Sequence, residues 1–199
     1  MTTPRGQGLL EMTVAIGIII TGVVGALSMV SGSLAASKQS QTRVIAVGLA
    51  REGIEAVRSI RDSNWLAARA WDDGLVGILS DRTGVPVIDP ATGLWTVDFT
   101  TNDISEAEAI VQRGGGGGSP NLLRQGGVAG EPTIYRRLLS LAPICWNEVT
   151  LSERVIAAPE TECQAFEREA GAEVKSRVRW AVSGRPHNIE IVERIYDWR

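Results

Sequence analysis

The 199-residue chain has two cysteines and one histidine, which leaves little material for a metal cluster. Proline is missing from residues 7–66, so nothing there forbids one long helix. Charge is missing from Met12 to Ser37, 26 consecutive positions, and aromatic residues are missing from everything before Trp65. There is no low-complexity charge run, and with 44% hydrophobic residues the chain is neither disordered nor collagen-like. Residues 38–199 carry 19 basic and 22 acidic side chains, a balance that excludes a polycation built for a phosphate backbone. The length fits one membrane-spanning or globular unit, hardly two large domains.

What is present begins with that uncharged run. As a helix, Met12 to Ala36 would be about 37 Å long at about 1.5 Å per residue, enough to cross a bilayer core of about 30 Å. Gly17, Gly22, Gly25, Ser28 and Gly32 suit close helix-to-helix packing in lipid. An ordinary anchor satisfies these facts. So does a cleavable secretory signal ending at Ala35-Ala36-Ser37, although the run is longer than the usual apolar core of such signals.

Glu11 separates the segment from both alternatives. It stands flush against the apolar run, after a short polar leader, Met1 to Gly6, with a single Arg5. Burying that carboxylate in lipid would cost about 2.5–3.5 kcal/mol on insertion scales, so a partner is implied. The string Arg5-Gly6-Gln7-Gly8-Leu9-Leu10-Glu11 resembles the processing signal of type IV pilins and type II secretion pseudopilins, in which a prepilin peptidase cuts after a glycine and a glutamate stands fifth after the cut. Gly6 and Glu11 match that spacing, whereas Gln7 departs from the Phe, Met or Leu usual at the first mature position.

The resemblance implies cleavage after Gly6, methylation of the new terminus at Gln7, and assembly through Glu11. It also implies an α+β fold, with a long amino-terminal helix, transmembrane then amphipathic, packed on a carboxy-terminal antiparallel β-sheet head. The expected organisation is a leader at 1–6, a stalk helix at 7–66 with its transmembrane segment at about 12–36, and an extracytoplasmic β-rich head at 67–199. Its partners would be the prepilin peptidase, inner-membrane lipid and other pilin subunits. The protein would be single-pass in the inner membrane and extracellular once assembled into a filament.

The residues themselves agree with the helix. After Lys38, Val47, Ala50, Ile54, Val57 and Ile60 recur at spacings of three and four, and Arg51, Glu55, Arg58 and Asp62 mark a charged flank. Gly48 and Gly53 are expected weak points, each costing about 1 kcal/mol against Ala. Residues 50–66, AREGIEAVRSIRDSNWL, and the ending Tyr196-Asp197-Trp198-Arg199 resemble a group of minor-pilin-like proteins. Asp62, Ser63 and Asn64 are expected to cap the helix, with Trp65 buried under the head.

In the head, Asp73-Gly74, Thr83-Gly84 and residues 89–93 have turn chemistry, and Leu94 to Thr100 alternates like a half-buried strand. Asp81, Asp89, Asp98 and Asp103 lack the spacing of a calcium loop, which favours solvated turn carboxylates. The glycine-rich insertion 113–130 has no following Lys-Ser or Lys-Thr, so it is no phosphate loop. Strands are expected at Thr133 to Cys145, Val174 to Val182 and Asn188 to Trp198, the last two joined by a turn at residues 183–186. Lys175, Arg177 and Arg179 would form a basic stripe able to touch DNA or an acidic neighbour. Local neutralisation by Glu173, Glu190 and Glu193 fits the acidic total better.

An extracytoplasmic head makes a Cys145–Cys163 disulfide reasonable, and two unpaired buried thiols are the alternative. Three function classes follow. The first is a filament subunit, without enzymatic activity or cofactor. The second is a membrane-anchored extracellular binding or sensor module that does not assemble. A secreted hydrolase comes last, because His187 is the only histidine and no Gly-x-Ser-x-Gly elbow exists.

Overall fold

A computed structural model of the chain describes residues 7–75, 82–89, 91–114, 122–126, 130–157, 160 and 162–197. The leader Met1 to Gly6, Asp81, most of the glycine-rich insertion, Trp198 and Arg199 lie outside them. The fold is α+β: one long apolar helix at the amino terminus, then an antiparallel sheet on which its later turns pack.

Helix α1 spans Gln7–Leu66, 60 residues without a proline. Two compact units are distinguished along the chain, Met1–Val44 and Ile45–Arg199. The first is helix throughout its described residues, and its large apolar side chains are exposed from Leu9 to Leu34.

The second unit holds the last turns of α1 and eight strands. These are β1 (Thr83–Ile88), β2 (Trp95–Asp98), β3 (Ile110–Arg113), β4 (Leu123–Arg124), β5 (Glu131–Asn147), β6 (Ser152–Val155), β7 (Glu167–Val182) and β8 (Arg185–Tyr196). β5 is the spine. Along one side it pairs with β7 from Arg136 to Asn147, and along the other it meets β3, β1 and β6 in turn. β8 pairs with β7 alone among the described residues, and every pairing in the sheet is antiparallel.

The period of two decides which side chains face the helix. Tyr135, Leu139 and Leu141 of β5 and Ala172, Val174, Val178 and Trp180 of β7 meet Ala46, Leu49, Ala50, Ile54, Val57 and Ile60 of α1 in two buried clusters. The expected stripe is therefore present, with two adjustments. Val47 is only half-buried, and Ala46, Leu49 and Ala56, absent from the sequence pattern, are buried. A third cluster of Val85, Ile104, Ala109 and Leu138 forms separately, with Leu138 and Leu139 pointing to opposite faces of β5.

Several strand boundaries correct the sequence reading. Thr83-Gly84 is not a turn but the start of β1, paired with Ser140 and Leu139. β7 begins seven residues before Val174, and β8 begins at Arg185, leaving only Ser183 and Gly184, both at positive φ, as the hairpin turn. At the end of α1 the buried residue is Asn64, whose amide donates to the carbonyls of Trp71 and Asp73 (3.1 and 2.7 Å). Trp65 is half-buried with the Arg61 guanidinium 4.7 Å from its ring, and it is Trp71 that fills the core.

Candidate functional site

Gly6 lies outside the described residues, and Gln7 is the first residue of α1. Glu11 falls in the second turn, exposed, with neither hydrogen bond nor ion pair among the described residues. On either side of it Leu9, Leu10, Met12 and Val14 are more than half exposed. An 18-residue window of the helix reaches a mean hydropathy of 2.3 with none of it buried, so this helix is long and apolar enough to cross a membrane. Two of its hydroxyls are satisfied within the helix: those of Thr13 and Thr21 donate to the carbonyls of Leu10 and Gly17 (2.9 and 2.5 Å). A Cβ added at Gly17, Gly22, Gly25 or Gly32 would meet nothing within 4 Å. The arrangement is a lone carboxylate beside an uncovered apolar surface. Its geometry suits packing and charge pairing.

In the second unit, Cys145 and Cys163 are joined by a disulfide across a separation of 18 residues. Glu167 approaches the two sulfurs, but with both bound to each other neither offers a thiolate to a metal. That carboxylate is instead held by Arg154, which also pairs with Glu160 and ties the cystine loop to β6. The hydrogen bonds from Arg154 and from the Gln164 amide keep the Glu167 carboxyl below the usual range.

The other candidates resolve into local structure. Asp89 accepts from Thr92 and the Ala91 amide, Asp98 from Thr100, and Asp103 from the Ser105 amide, so each described carboxylate of the proposed calcium set closes its own turn. Lys175 pairs with Glu173 (3.2 Å) and Arg177 with Glu190 (2.8 Å), while Arg179 reaches the Ser105 hydroxyl (3.4 Å). Glu193 does not join them. Its position in β8 turns it to the helix face, where it pairs with Arg58. His187 stacks on Trp180, ring centroids 5.4 Å apart.

Sequence reasoning missed Arg137, which is 1% exposed and lies under the helix. Its guanidinium donates to the Leu49 carbonyl (2.9 Å), the Glu52 carboxylate (3.2 Å) and Gln125 Oε1 (2.6 Å). Gln125 Nε2 in turn donates to the carbonyls of Ala109 and Arg137 (2.7 and 2.9 Å). One buried cation thus joins α1, β5 and the segment after β4. The available signal was the alternation of β5, which puts Arg137 on the same face as Tyr135, Leu139 and Leu141.

No protein-family model, no curated protein and no solved structure matches this chain.

Proposed function

We propose that the chain is a structural subunit of an extracellular filament, a minor pilin or pseudopilin, matured by a prepilin peptidase that cuts after Gly6. The observation that carries this reading is Glu11: five positions after Gly6, unpartnered among the described residues, at the head of a continuous apolar helix. Residues 12–36 hold the subunit in the inner membrane with the disulfide-bonded head outside. In the filament the Glu11 carboxylate meets the newly formed, methylated amino terminus of a neighbouring subunit, and the exposed apolar faces of neighbouring helices cover one another. Pairing offsets the cost of removing each charge from water, and loss of one partner from a buried pair costs about 3–5 kcal/mol.

Glu11→Gln and Glu11→Ala should therefore yield protein that is cleaved, membrane-inserted and disulfide-bonded, yet missing from sheared filaments. Gly6→Val should block cleavage. If the Glu11 variants enter filaments at the level of the unsubstituted chain, the charge pair is not the assembly contact and an anchored, non-assembling binding module becomes the better account.

A further inference from the structure

Among the described residues β8 is an open sheet edge. Its twelve residues pair with β7 from Tyr196↔Gly171 to Arg185↔Val182 without a register shift, and no described strand lies on its other side. Such an edge presents a row of unpaired N–H and C=O groups, normally blunted by a bulge, a proline, a short length or charges that repel an added strand, of which β8 has only the charges along its length. Here there is no bulge, and the one proline, Pro186, stands at the strand's beginning. Beside the edge runs a groove of about 890 Å³, walled by Glu55, Ser59 and Asp62 of α1 and by Glu193 and Ile195 of β8.

The face of β8 turned away from α1 carries Asn188, Glu190, Val192 and Arg194. This order is self-complementary. Backbone groups along an edge alternate in direction, so an antiparallel partner of the same sequence must place its twofold axis on a residue. An axis at Glu190 or at Glu193 sets that acid against itself, and one at Ile191 sets Glu190 against valine. With the axis at Val192, Glu190 faces Arg194 of the second copy, twice. Within each copy Glu190 already lies opposite Arg177, and Arg194 opposite Glu173. The row across four strands then reads Arg177, Glu190, Arg194, Glu173, alternating in sign from strand to strand. Glu193 would come opposite Ile191, but its charge is satisfied by Arg58 within its own chain.

We infer that β8 is a homotypic docking edge, at which a second copy of this chain adds antiparallel about Val192. The helices permit it. The two β7 strands would be three spacings apart, about 14 Å, and helices of about 10–12 Å diameter above them clear one another. A twofold axis normal to the sheet reverses direction, so residues 45–66 of the two copies run antiparallel. Subunits drawn from one membrane into one filament, as proposed above, would share one direction, so on that reading the edge would join copies carried by separate assemblies. The pairing rests on the sheet alone and stands or falls independently of cleavage at Gly6 and of Glu11.

The test is cysteine cross-linking of the full-length chain in detergent, with peptide mapping of the product. Val192→Cys should oxidise to a dimer bridged between the two substituted positions, whereas Thr150→Cys, exposed in the β5–β6 turn, should not. Asn188→Cys alone should stay monomeric, but mixed with Tyr196→Cys it should cross-link, because this register puts those two positions opposite each other. Combining Val192→Cys with Glu190→Arg and Arg177→Glu keeps the β7–β8 charge pair inside each copy but sets a base at position 190 against Arg194 of the other. Dimer yield should then fall about tenfold, the effect of reversing two cross-strand pairs. An intact Cys145–Cys163 bond in each variant verifies the fold. Dimer from Val192→Cys no more abundant than from Thr150→Cys overturns the proposal, as does self-cross-linking of Asn188→Cys above that of the Asn188→Cys and Tyr196→Cys mixture.

Discussion

Removing Glu52 should unbalance the buried cation that joins α1 to the sheet. Arg137 is 1% exposed and burial pushes its pKa down, whereas the Glu52 side chain keeps 36% of its surface. Breaking a fully buried ion pair costs about 3–5 kcal/mol, because one charge is stranded. Here the Leu49 carbonyl and Gln125 Oε1 still accept from the guanidinium, so Glu52→Leu should cost about 2–3 kcal/mol. Arg137→Met frees Glu52 to hydrate but strands Gln125 Oε1, and should cost about 1–2 kcal/mol. The double variant strands no charge. Its loss should therefore be no larger than that of Glu52→Leu alone, a coupling of at least about 1–2 kcal/mol against additivity. The assay is urea unfolding of the full-length chain in detergent, followed by the fluorescence of buried Trp71 and Trp180. If the double variant loses the sum of the two single losses, Glu52 and Arg137 act independently and the buried-pair reasoning fails.

Two glycines of α1 should respond oppositely to alanine. A Cβ at Gly53 would lie 2.5 Å from Ser176 Oγ and 2.9 Å from Leu139 Cδ2, so Gly53→Ala should lose about 1–2 kcal/mol of stability; Gly48 has nothing within 4 Å, and Gly48→Ala should gain up to about 1 kcal/mol, both by urea midpoint. Replacing Cys145 and Cys163 with serine should cost about 3 kcal/mol, the chain-entropy value for a loop of 18 residues, and non-reducing peptide mapping should recover the bridged peptide from the unsubstituted chain. The folded pKa of Glu167 lies below its unfolded value, so its contribution is complete above the ordinary value of 4.5 and is lost as pH falls through the depressed one. Glu167→Gln should flatten the acid limb of a stability-versus-pH curve, and an unchanged limb would count against the Arg154–Glu167 pair.

The parts of the fold legible in the sequence were those whose local pattern and long-range partner agree. Val174 to Val182 alternates cleanly and is a strand in the register that alternation implies. Glu167 to Ala172 does not alternate, yet it extends the same strand, because β5 runs on past Ile144 and pairs with it across a bulge. Gly171 permits that extension: a Cβ there would strike the Ile195 carbonyl of β8. Thr83-Gly84 has turn chemistry, but Gly84 sits against the Asp98 carbonyl where a side chain would not fit, and pairing with β5 overrides the local preference. Gly53 carried the same ambiguity. Read along the helix it is a propensity defect, and only the sheet beneath shows that it permits close approach to Ser176. Arg137 was hidden by its type, since an arginine is ordinarily placed outside until three acceptors converge on it. The Cys145–Cys163 bond was legible only as one of two readings of the chain's two cysteines, and Glu11 stood out as a charge flush against an apolar run.

The mass of the amino-terminal peptide of the mature protein, recovered from cells that possess a prepilin peptidase, tests the central claim most directly. A peptide beginning at Gln7, with or without one added methyl group, is the predicted result. A peptide retaining Met1, or one beginning after Ala35 or Ser37, would contradict it.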